Sequence, residues 1–190
     1  MARPKSEDKR NAILDSALHI FAELGLGAPT AKIAKGAGVA EGTLFNYFET
    51  KDELLNQLYL ELKRELRDIM LPGFPRDQSI KARLHHTWCI YVDWGVAQPQ
   101  KRKVMALLMM SDRLTAQSRE AGQEGFRELG QALQMSVDCG VLRDQPVDFT
   151  AAIMRSLAET TMDFMSLAPE QAERYREAGF VAYWNAIARD

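Results

Sequence analysis

The chain has 190 residues, 46% hydrophobic and 26% charged, with a formal net charge of −2. That length suffices for one sizeable core, or for a small module joined to a larger domain. The near-neutral charge excludes a surface that coats nucleic acid all round, but it leaves room for a local basic footprint.

Two cysteines, Cys89 and Cys139, make no disulfide framework and fit a reducing compartment. MARPKSEDKR at the start has no apolar run of the signal-peptide kind. No stretch reaches ~18 uninterrupted apolar residues, so no membrane partner is expected and the expected location is cytoplasmic.

Apolar residues recur every three or four positions and alternating patterns are missing, which predicts an all-α chain of about nine helices. A basic arm with Arg3, Lys5, Lys9 and Arg10 opens the chain. Ser6 is expected to cap the first helix, with Glu7 and Asp8 in its first turn, where the helix dipole favours acids. Ile13, Ala17, Phe21 and Leu24 line one face, and Gly25 or Gly27 ends the helix.

Pro29 suits the start of a short second helix that runs to about Lys35. AEGTLFNYF forms a third. Thr50 and Glu53 make a capping box that opens a helix over 51–70, roughly 30 Å long. LPGFPRDQS, residues 71–79, breaks the chain with two prolines and a glycine. Further helices are predicted over 79–97, 100–111, 114–138, 147–166 and 169–188.

Gly36, Gly38 and Gly42 raise a choice. Their spacing approaches a dinucleotide-binding turn, but such a turn needs a buried strand before it. The preceding TAKIAK is alanine-rich, carries lysines and is short of β-branched residues, so it reads as helix. A helix-turn-helix explains more. Ile33, Val39, Leu44 and Phe48 would face Ala17 and Phe21, and Gly38 would supply the backbone freedom of the bend. The exposed face of the third helix then carries Glu41, Gly42, Thr43, Phe45, Asn46 and Tyr47, side chains suited to base edges and phosphates. Lys51 and the free N–H groups of the helix behind it, with Thr30 opposite, suit phosphate.

IAKGAGVAEGTLFNYFETKDEL, residues 33–54, resembles the signature of the tetracycline-repressor (TetR) family, I-A-x-x-A-G-V-S-x-G-T-L-Y-x-Y-F-x-x-K-x-x-L. The resemblance covers about the first 55 residues. It implies a homodimeric all-α regulator whose DNA-contacting positions are Thr30, Glu41, Gly42, Thr43, Phe45, Tyr47 and Lys51. Phe45 stands where the family usually has tyrosine, which removes a phenolic phosphate contact. Ala40 replaces the usual serine, which weakens a helix cap. The loop before the second helix is one residue short, with Ala28 and Pro29 where a threonine cap is common.

The expected organisation is a helix-turn-helix DNA-binding domain over 1–51 and a helical effector-binding and dimerisation domain over 52–190. Ile153, Leu157 and Phe164 form one apolar stripe near the C-terminus, and Phe180, Trp184 and Ile187 another. Two such helices from each of two subunits would make the four-helix dimer bundle that the resemblance implies. Its symmetry would match a palindromic operator on double-stranded DNA. Trp88, Tyr91, Met105, Met109 and Phe126 are the candidates to line a pocket for a hydrophobic or aromatic small-molecule effector.

His85 and Cys89 stand four apart on one helix face, a spacing that can hold a metal or a reactive thiol. With only two ligands in view, neither a metal nor a cofactor is expected. No nucleophile triad, paired carboxylates or phosphate-binding loop is present, so an enzyme is not expected either. The working expectation is a ligand-responsive transcriptional repressor.

Overall fold

A computed structural model describes residues 4–189, with side chains from Glu7 onward. Arg3 and the side chains of Lys5 and Ser6 lie outside the described residues. The fold is all-α, with ten helices among the described residues. They are α1 (Pro4–Leu24), α2 (Thr30–Gly36), α3 (Glu41–Tyr47), α4 (Lys51–Met70), α5 (Ile80–Ala97), α6 (Pro99–Met110), α7 (Ala116–Glu124), α8 (Arg127–Asp138), α9 (Val147–Leu167) and α10 (Ala172–Ile187). A 3-10 turn, Pro169–Gln171, precedes α10. Among these residues the only extended pairing is an isolated bridge between Leu142 and Ala188. Among the described residues no helix is long and apolar enough to cross a membrane.

Two sequence expectations need correction. Helix α1 begins at Pro4, which places Ser6 within its first turn rather than before it. The single helix expected over 114–138 is two helices, α7 and α8, which makes the total ten. The break falls at Gly125 and Phe126, where Phe126 leaves helical geometry at φ −112°. A β-carbon on Gly125 would lie 2.6 Å from Arg67 Cδ, so the missing side chain lets the chain pass close to α4 at the break.

The chain forms two compact units, residues 1–64 with 99–123, and residues 65–98 with 124–190. In the first, α1 packs on α2 and α6. Ile13, Ala17, Phe21, Ile33, Leu44, Phe48, Leu54, Leu55, Val104 and Leu108 fill its core, each at most 1% exposed. Val39 is only half-buried. Asn56, buried on α4, binds the loop between α6 and α7. Its side-chain amide donates to Arg113 O at 3.0 Å, and its Oδ1 accepts from Thr115 N at 3.0 Å. A buried amide satisfied in this way fixes where the loop lies.

In the second unit, α9 packs closely on α10 and on α5. Leu84, Trp88, Val92, Met162, Phe180, Tyr183 and Ile187 form the core. Trp88 stacks on Tyr183 with ring centroids 5.8 Å apart, and its indole N–H donates to Arg176 O at 2.9 Å. The stacking and the satisfied indole tie α5 to α10.

Candidate nucleic-acid interface

Residues 30–53 build the interface by local rules. Helix α2 ends in a Schellman turn: Val39 N donates to Ala34 O at 3.0 Å, and Gly38 N to Lys35 O at 3.1 Å. Gly38 takes φ +68°, the left-handed region that a side chain would disfavour. The other two glycines have different reasons. A β-carbon on Gly36 would lie 2.3 Å from Ser16 Oγ, so Gly36 lets α2 approach α1. Ser16 Oγ itself donates to Ile33 O at 2.8 Å. Gly42 meets nothing within 4 Å and stands at the surface of α3. A helix, not a strand, precedes the three, which removes the dinucleotide reading.

Helix α3 starts after Ala40, which makes no side-chain cap. Leu44 is fully buried beneath it. Glu41, Gly42, Phe45 and Asn46 are exposed, and Thr43 and Tyr47 are half-buried. Phe45 is 39% exposed, a large apolar ring that the fold leaves in solvent. At the start of α2, Thr30 Oγ1 donates to Glu41 Oε1 at 2.6 Å. That bond joins the first residues of α2 and α3 across the turn.

At the start of α4, Thr50 Oγ1 accepts from Glu53 N at 3.0 Å. Glu53 reaches back one residue further than a strict capping box, accepting from Glu49 N at 2.6 Å. Lys51 lies over Phe21, its Nζ 5.9 Å from the ring centroid. Burial, and next the nearby Arg113 guanidinium, push the Lys51 ammonium below its ordinary value; Asp52 opposes them. Arg113 is itself held to Asp52 at 2.9 Å. Lys32 and Lys35 on α2 are also exposed. In the sequence these two lysines serve only to tell helix from strand, and nothing marks Arg113, whose place beside Lys51 depends on a loop distant in sequence.

The family model described as bacterial regulatory proteins, tetR family, matches residues 13–58. The fatty acid metabolism regulator protein of Bacillus subtilis is 44% identical to this chain over 38% of each. The chain therefore spans well under half of that relative's length. AcrR, an HTH-type transcriptional regulator of Shigella flexneri, is 22% identical over 93% of this chain and 86% of its own. A solved structure from Shewanella sp. PV-4, assigned to the tetR family, superposes with TM-score 0.85. It is 28% identical, over 96% of this chain and 99% of that one. The match to the family model lies in the N-terminal residues 13–58, and over its length the chain resembles TetR-family regulators. TetR-family proteins are transcriptional regulators, not enzymes.

The five effector candidates divide between the two units. Met105, buried, and Met109, half-buried, lie on α6 in the first unit. Trp88, Tyr91 and Phe126 lie in the second. Trp88 is fully buried in the core, while Tyr91 stacks on Trp94 at 6.1 Å. Phe126 lines a cleft with Arg67, Met70, Leu71, Phe74, Thr87, Gly125, Glu128 and Leu129. The cleft has room for about 30 Å³ of contents. That is space for a water or two, whereas a drug-sized ligand needs roughly 300 Å³ or more.

The six interface candidates also divide. Phe180 and Ile187 are buried in the protomer's own core. Ile153, Leu157 and Trp184 are half-buried, with Lys81 Nζ 5.1 Å from the Trp184 ring centroid. Phe164 is 49% exposed. Phe149, Leu167 and Val181, outside the two stripes, are exposed apolar side chains on the same two helices. Leu167 is 80% exposed.

Proposed function

We propose that this TetR-family chain is a cytoplasmic repressor that binds a palindromic operator as a homodimer and is released by a small hydrophobic effector. One observation carries the DNA-reading part. Helix α3, seven residues long and anchored by buried Leu44, presents Glu41, Gly42, Phe45 and Asn46 outward, with Thr43 and Tyr47 at the flanks. Gly42 leaves the backbone open to a groove, and Thr43 can meet a thymine methyl. Thr30, Lys51 and the first N–H groups of α4 then bind phosphate, which sets the register. Residues 1–51 are the reading module and 52–190 the effector and dimer region.

Dimerisation through α9 and α10 places two such helices one DNA turn apart or slightly more. The pairing surface combines Phe164, Ile153, Leu157 and Trp184 with exposed Phe149, Leu167 and Val181. The proposed effector site is the cleft beside Phe126, which opens to admit its ligand. Arg67 and Met70 line it from the last turn of α4, the helix that begins at Lys51. Release requires that the effector bind one position of α4 more tightly than another.

Purified protein and fluorescent DNA from its neighbouring promoter test the reading. The expected result is a saturable complex that outcompetes random duplex, with raised transcription of an adjacent gene in a deletion strain. Equal affinity for every duplex, with a steep salt dependence, would instead favour an architectural DNA binder.

A further inference from the structure

The geometry points to a transition-metal site formed by His85, Cys89 and Glu177, one for a divalent ion of borderline softness such as Zn²⁺. The helical spacing of His85 and Cys89 supplies two ligands; the third comes from α10, 88 residues beyond Cys89 in the chain. Glu177 Oε2 lies 3.0 Å from His85 Nε2. Cys89 Sγ lies 3.7 Å from the same nitrogen. All three donor atoms fall within 4.8 Å of one another.

These separations suit one ion. Zinc bonds of about 2.0 Å to nitrogen and oxygen and 2.3 Å to sulfur, set tetrahedrally, hold N and O ~3.3 Å apart and N and S ~3.5 Å apart. The two distances from His85 Nε2 differ from those by a few tenths of an ångström; Cys89 Sγ is also 3.9 Å from His85 Nδ1, so the imidazole turns to aim Nε2 at an ion held by all three. The donor set of imidazole, thiolate and carboxylate matches zinc and its neighbours better than calcium or magnesium, which take oxygen ligands. Three protein ligands leave a fourth position for water or an effector atom. Thiolate and carboxylate together balance the charge of a divalent ion. The adjacent Arg176 is held by Asp93 at 2.9 Å, and its Nε also lies 3.8 Å from Glu177 Oε1, a contact that the ion would replace.

The site is held from outside. The indole N–H of Trp88 donates to Arg176 O, the residue before Glu177, and Trp88 is next to Cys89 on α5. The His85 ring packs edge-on against Phe180, with centroids 4.6 Å apart. These contacts hold α5 and α10, the two helices that carry the ligands, against each other. His85 and Cys89 are half-buried and Glu177 is exposed, so an ion can enter from solvent.

The proposal does not rest on DNA binding, and its test does not use DNA. The full chain, stripped of metal and reduced, is titrated with Zn²⁺ by calorimetry and with Co²⁺ by absorption. One Zn²⁺ per chain is expected. Co²⁺ should give a thiolate charge-transfer band and the strong visible bands of a four-coordinate ion. Cys89→Ser and Glu177→Gln should each weaken Zn²⁺ binding at least about tenfold. Cys89→Ser should also abolish the charge-transfer band, while Cys139→Ser keeps both signals. Glu177→Gln, at an exposed position, decides the matter if Cys89→Ser fails to fold. No Zn²⁺ binding, unchanged affinity in Glu177→Gln, or loss of the band in Cys139→Ser would each overturn the assignment.

Discussion

Thr30 Oγ1 donates to Glu41 Oε1 at 2.6 Å, so the hydroxyl proposed to meet a phosphate is already bound to a carboxylate. Free of DNA, the bond braces the turn between α2 and α3. Near a duplex, the same carboxylate repels the backbone and competes with phosphate for the Thr30 hydroxyl. Glu41→Gln keeps an acceptor for Thr30 and removes the charge. Affinity for random duplex should rise about three- to tenfold at low salt. If Glu41 also accepts from a cytosine amino group, the preference for operator falls at the same time. Fluorescence anisotropy on operator and random DNA measures both. Unchanged affinity for random duplex would place Glu41 away from the DNA path.

Gly42 separates stability from function. A β-carbon there meets nothing within 4 Å, and Gly42 sits inside a helix at the surface. Gly42→Ala should therefore stabilise α3 by about 0.5–1 kcal/mol. If the groove approaches that face, the same methyl should weaken operator binding. Denaturant unfolding and anisotropy on one preparation check the opposing signs. A variant that gains stability and binds operator as before would move the reading face elsewhere on α3.

The helix-turn-helix was legible because its signals are local. Pro29, Gly38, Thr50 and Glu53 each act within a few residues, and buried Ile33, Leu44 and Phe48 keep helical spacing. The break at Gly125 was not legible. It sits in a polar stretch without proline, and the tertiary contact with Arg67 accompanies it. The C-terminal stripes were ambiguous for another reason. Phe180, Trp184 and Ile187 have the spacing of any apolar helix face, and periodicity does not say whether a face meets its own chain or a partner. Trp88 and Phe126 look alike as aromatic side chains in the middle of the chain, but Phe126 borders a cleft while Trp88 is fully buried in the core. Glu177 joins His85 and Cys89 only because α5 packs on α10, which spacing along the chain does not reveal.

The two phenylalanines on the C-terminal helices should respond differently. Phe164 is 49% exposed, so Phe164→Glu costs the protomer little but sets a charge in the proposed pairing surface. Phe180 is 4% exposed and borders both Trp88 and Tyr183. Phe180→Ala should cost about 3–5 kcal/mol of folding stability. Sedimentation velocity should show Phe164→Glu as a folded monomer at concentrations where the natural chain is a dimer. A folded dimer of Phe164→Glu would shift the interface away from this face.

Tyr183 gives the fold an alkaline limit. Burial alone pushes its phenol well above the ordinary range, and its ring lies stacked on Trp88 in the core. In the unfolded chain a tyrosine ionises near pH 10, whereas in the folded chain Tyr183 keeps its proton beyond that. Above about pH 10 the unfolded state thus binds fewer protons, and stability falls as pH rises. Each further pH unit removes about 1.4 kcal/mol until the folded phenol itself ionises. Below about pH 10 both states are protonated and this contribution is fully present. Tyr183→Phe keeps a ring to stack and removes the proton. Denaturant midpoints of the two proteins should run parallel near neutrality and diverge above about pH 10, with the natural chain losing more. Parallel curves throughout the alkaline range would mean that the Tyr183 hydroxyl reaches water.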